Sequence, residues 1–236
     1  MLSLRAIAVT ITICTWTVPI ALAGPITSST SYKYYSVRGD TPLEIIQSAR
    51  RSMPWHNGSR AWATIDTDTK TTRTLSTGGL CKLQSLNVTM THVITLPRHQ
   101  AEAKLAPDIR QQYQSFLATL IRHEEEHRAI SQSCNLKIRQ RALALPGQPN
   151  CDVFLNRMAQ IVEQERNACN RRHEALDDRD VPRTPSFALF QAALTQAQAN
   201  YKRRPLQPVR ASGSRSYDNG RGDAAAPVFQ SEPTNR

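Results

Sequence analysis

Between Pro107-Asp108 and the Pro146-Gly147-Gln148-Pro149 break, Ile109, Tyr113, Phe116, Leu120, His123, His127, Ile130, Cys134 and Ile138 recur in steps of three and four. That period belongs to an amphipathic helix, here one reaching about Leu143. Any fold open to this chain must be built around it. Two imidazoles stand inside the apolar stripe, an odd place for titratable rings unless something binds them.

The remaining elements are shorter. Thr41-Pro42-Leu43-Glu44 has the marks of a helix start: a capping hydroxyl, a proline in the first turn and a glutamate that can reach back. That helix runs to about Ser52, with Leu43, Ile46 and Ala49 inward. Lys82 to Leu96 alternates as a strand does. Leu86, Val88, Met90, His92, Ile94 and Leu96 share one face, Asn87, Thr89, Thr91 and Thr95 take the other, and Pro97 ends it. Tyr32 to Val37 and Trp62 to Ile65 read as short strands, and Gly24 to Ser31 as a polar leader. Asn150 caps a second helix, from Cys151 to about Asp178, through Phe154, Met158, Ile161, Glu165, Cys169 and Leu176.

The expected fold is therefore α+β: a small, mostly antiparallel sheet packed with the long helix and an antiparallel partner helix. Ser186 to Tyr201 forms a further amphipathic helix, and the Pro-, Gly-, Ser- and Arg-rich stretch from Pro205 reads as a disordered basic tail. The division is residues 1–23, 24–180, 181–204 and 205–236.

Residues 1–23 read as an export signal, with a basic start, an apolar run from Ala6 to Ile20 and Ala21-Leu22-Ala23 at the cleavage site. No later segment is apolar enough to span a membrane. Cys14 leaves with the signal, so Cys81, Cys134, Cys151 and Cys169 remain, an even number suited to disulfides in the periplasm or outside the cell. The formal net charge of +11 is spread along the chain and concentrates only in the tail. It suits contact with anionic envelope components and carries no aromatic-basic cluster for specific nucleic-acid recognition. The tripeptides Arg38-Gly39-Asp40 and Arg221-Gly222-Asp223 are common by chance, and the sequons at Asn57 and Asn87 would matter only in a eukaryotic secretory route.

The chemistry is concentrated in His123-Glu124-Glu125-Glu126-His127. Positions i and i+4 lie on one helix face, so both imidazoles can hold one zinc ion while Glu124 projects beside the open coordination position. Zinc acidifies a water and polarises a carbonyl, and Glu124 would serve as general base. Glu125 and Glu126 have no necessary part. The expected function is hydrolysis of peptide bonds in a peptide or protein substrate. A non-catalytic metal-binding or envelope-binding protein is the alternative.

The chain resembles the bacterial family of predicted secreted zinc-dependent proteases. The resemblance rests on Tyr35-Ser36-Val37-Arg38-Gly39, Gly79-Leu80-Cys81, Thr95-Leu96-Pro97-Arg98, the His-Glu-x-x-His helix and Cys151 after the Pro-rich loop, and covers about Tyr32 to Asp178. It implies a zincin-like peptidase. The family pattern places a Tyr-Asp pair and then a Thr-x-His-Gly run beyond the second helix. Here the counterpart is Leu176-Asp177, with no His-Gly following.

Cys81 and Cys151 are positions shared with that family, and the resemblance implies that they pair, leaving Cys134 for Cys169. Cys151 and Cys169 would lie about 27 Å apart in one continuous helix, too far for a bridge. With Cys134 tied to Cys169, the third metal ligand is Asp177 or His173. A hairpin with Cys134 joined to Cys151 would bring Glu163 or Glu165 across instead.

Overall fold

The computed structural model describes residues 26–203 apart from 57 and 77. The export signal, the tail and its Arg-Gly-Asp tripeptide lie outside the described residues. Strand β1 (Ile26–Val37) leads into helix α1 (Pro42–Ser52), then a two-stranded ribbon of β2 (Trp55–His56) and β3 (Ser59–Arg60). Strands β4 (Thr64–Ser76) and β5 (Lys82–His99) precede the long helix α2 (Pro107–Leu143), its partner α3 (Cys151–Asp180) and α4 (Ala188–Arg203). The fold is α+β, as expected.

The main sheet has the order β1-β5-β4, with β5 in the centre. It is mixed rather than mostly antiparallel, because β1 pairs parallel to β5 and only β4 runs antiparallel to it. The alternation in β5 is real: Leu86, Val88, Met90, His92, Ile94 and Leu96 are all buried beneath the helical layer. The strand passes through Pro97 to His99. Beyond Thr95 it has no β4 partner, and a strand with one open edge tolerates the missing N–H of a proline.

Both edge strands are longer than the sequence suggested. β1 begins at Ile26 inside the supposed polar leader, and β4 continues from Thr64 to Ser76. Their solvent-facing Ser and Thr residues hide the apolar alternation, while the β-branched threonines suit extended backbone. Helix α1 starts with the expected capping box between Thr41 and Glu44, and buries Ile45, Ile46, Ser48 and Ala49, leaving Leu43 half-buried. Gly39 turns β1 into α1 at φ 117°, where a Cβ would stand 2.5 Å from that of Glu44. Arg38-Gly39-Asp40 is that turn.

Helix α2, 37 residues and so about 55 Å long, lies across the sheet and bridges two apolar clusters. One gathers Val37, Ile45, Ile94, Leu96, Tyr113 and Phe116 with Leu189 and Ala193 of α4. The other gathers Leu83, Leu86, Val88, Met90, Ala142, Phe154 and Met158 around Cys81. Helix α3 runs back along α2. Disulfides Cys81–Cys151 and Cys134–Cys169 fasten it to the start of β5 and to α2. His123 and His127 stand midway along α2, between the two clusters.

Candidate metal centre

The register of the α2–α3 hairpin decides what faces the two histidines. From the Cys134–Cys169 bridge, α2 runs back to His127 and His123 while α3 runs forward to His173, Asp177 and Asp180. Oδ1 of Asp177 lies 3.0 Å from Nε2 of His127 and 3.2 Å from Nε2 of His123, and those two nitrogens are 3.1 Å apart.

Hydrogen bonds within the triangle leave one of its three contacts unmatched. If both imidazoles donate to Asp177, two N–H groups face each other; if one donates to the other, the carboxylate loses a donor. A cation at the centre resolves the conflict. Tetrahedral zinc with bonds of about 2.0–2.1 Å sets its ligand atoms roughly 3.3 Å apart, close to the spacing here. His123, His127 and Asp177 thus form a group that can hold a metal ion.

The far nitrogens of both rings are held as well. Nδ1 of His123 is 3.2 Å from Oδ2 of Asp180, whose carboxyl is kept well below the usual range, chiefly by the Arg179 guanidinium. Arg179 also pairs with Glu126 at 2.7 Å, so Glu126 braces the second layer. Glu125 accepts from Tyr32 and Arg128 on another side of the helix. Nδ1 of His127 is 2.7 Å from Nδ1 of His173, whose Nε2 faces Ser131 Oγ at 3.5 Å. Burial lowers the pKa of both His127 and His173, favouring the neutral form that a metal ligand requires.

Among the third-ligand candidates, Asp177 completes the triangle and His173 stands behind His127. Glu165 pairs with Arg141 instead. Asp180 escaped notice in the sequence, although its place three residues after Asp177 on one helix face was the available signal.

Glu124 is 4 % exposed, and burial pushes its carboxyl up to about 7, helped by Asp177 and Asp66 and opposed by His123. It lines the same cleft as the three ligands, a space of about 1130 Å³ walled by β4 from Thr64 to Thr67 and by Trp62, Leu120, Phe187 and Phe190. The cleft opens where α2, the end of α3, α4 and the edge of the sheet meet.

Fold and site together give an α+β protein in which two histidines and one carboxylate, placed so that they can hold a metal ion, line a cleft. Residues 32–181, more than half of the chain, match the model of a family described as bacterial protein of unknown function (DUF922), and the chain belongs to that family. Neither the curated proteins nor the solved structures give a match.

Proposed function

We propose that this protein is a zinc-dependent peptidase working outside the cytoplasm. The observation that carries the reading is the ligand triangle with a buried carboxyl, Glu124, in the same cleft. A structural zinc site closes with four protein ligands, whereas catalytic sites use three and leave a position open. Three ligands beside open space favour the catalytic reading over a purely structural metal. Zinc would supply Lewis-acid polarisation of a carbonyl and acidify a water.

The chain's own groups would do the rest. His123, His127 and Asp177 hold the ion, and Asp180 and His173 orient the two rings through their far nitrogens. Glu124, with a carboxyl tuned near neutrality, accepts the proton of the attacking water and returns it to the leaving amine. Strand addition of an extended substrate needs an unpaired edge, and β5 is central, paired with β4 from Lys82 to Thr95 and with β1 from Val88 to His99. The free edge of β4 takes that role, because Thr64, Ile65 and Thr67 wall the cleft.

The two disulfides and the leader at residues 1–23 support an oxidising compartment, periplasmic or extracellular. No described helix is long and apolar enough to cross a membrane. Metal analysis of the purified protein, with cleavage of unfolded casein by parent and Glu124→Gln, tests the reading. A chain without zinc, or equal cleavage by both, removes it.

A further inference from the structure

One fully buried group has no place in the scheme above. His92, on the helix-covered face of β5, has no exposed surface, and its Nε2 has no hydrogen-bond partner among the described residues. Its Nδ1 lies 2.9 Å from Oγ1 of Thr67. The two residues are directly opposite in the antiparallel β4–β5 ladder, so both side chains emerge on one face. They differ in what lies above them: His92 is sealed in, while Thr67 lies on the edge strand and lines the cleft with His123, Glu124 and His127.

This arrangement fixes the sense of the bond. Burial lowers the pKa of His92, so the ring is neutral and carries one proton. A proton on Nε2 would leave a buried N–H without an acceptor, rarer and costlier than an unfilled acceptor. The proton therefore sits on Nδ1 and is donated to Thr67. The Thr67 oxygen accepts from below, and its own hydrogen is left for an acceptor in the cleft. A peptide offers one such acceptor at every residue, the carbonyl oxygen.

We propose that Thr67 donates a hydrogen bond to a carbonyl oxygen of the bound peptide, with His92 as the positioning residue that holds its hydroxyl in that sense. The inference rests on the peptidase reading. It gives that reading a substrate contact outside the metal ligands, on the strand whose free edge faces the cleft.

Two measurements on the zinc-loaded full chain test it. Long-range nitrogen–proton correlation of the His92 ring should place its proton on Nδ1. Calorimetric titration with a tripeptide hydroxamate should show Thr67→Val binding about 3–10-fold more weakly than the parent, and Thr67→Ser within about twofold, at equal zinc content. A proton on Nε2, or a Thr67→Val chain that binds as tightly as the parent, overturns the inference and leaves the peptidase reading standing. A parent chain that holds zinc yet binds no hydroxamate overturns both.

Discussion

His173 stacks against His127 with ring centroids 5.0 Å apart and planes 22° from parallel, their Nδ1 atoms 2.7 Å apart. Only one of those nitrogens can carry the shared proton. If Nε2 of His127 faces the metal, Nδ1 of His127 is the donor and His173 the acceptor. His173 is then an outer support, which separates it experimentally from Asp177.

His127→Ala and Asp177→Ala should therefore lose the single zinc expected per chain, whereas His173→Ala should keep it with an affinity lower by about 10–100-fold. Competition with a chromogenic chelator reads both effects. Zinc lost from His173→Ala but retained in Asp177→Ala would exchange their roles.

Glu124→Gln should retain zinc and lose hydrolysis by on the order of a hundredfold or more, while Glu125→Gln, which changes only the contacts to Tyr32 and Arg128, should be nearly silent. Single-turnover cleavage at matched zinc content separates the two variants.

The Cys134–Cys169 bridge closes a separation of 35 residues and holds Asp177 opposite the histidines. Its loss in Cys134→Ala/Cys169→Ala should cost about 2–4 kcal/mol of stability. It should also weaken zinc binding, although no cysteine touches the triangle. Denaturant unfolding and chelator competition on the same preparation measure both. Unchanged zinc affinity would mean that the helix packing alone sets the register.

Helix α4 belongs to the core, since Leu189 is fully buried in the cluster it shares with residues of α1, β5 and α2. Leu189→Ala should destabilise the protein by about 2–5 kcal/mol. A surface appendage would show less than about 0.5 kcal/mol. Thermal unfolding distinguishes these.

The capping box gives a pH dependence of known sign. The Glu44 carboxyl is lowered by the backbone N–H of Asp40 first, then by Thr41, so its folded pKa lies below its unfolded one. Its contribution is complete above the unfolded value and fades as pH falls through the folded one. Parent should exceed Glu44→Ala in stability near neutrality, and the two should converge in acid. A gap that stays constant with pH would assign the effect to helix propensity.

Both long helices, α1 and the central strand were legible because their apolar residues repeat with the period of the element. The pairing of His123 with His127 was legible because a four-residue spacing is itself a geometry. Asp177 and His173 could be narrowed to two but not separated, since one turn of helix decides between them and periodicity does not fix rotation that finely. Strands β1 and β4 were underread for another reason: edge strands bury little, so the selection that writes alternation into β5 hardly acts on them. Thr67 carries no signal of its own, and Asp180 only its place three residues after Asp177 on one helix face. Their significance arises from what α3 and β5 bring beside them.

The parallel pairing of β1 with β5 has a kinetic consequence. Ile26 meets Val88, and among the described residues β5 is the only strand paired with β1. Each paired residue of β1 therefore has its β5 partner more than sixty positions further along the chain. Contacts of such separation in sequence form late and slowly. β1 can thus join the sheet only once β5 has been made.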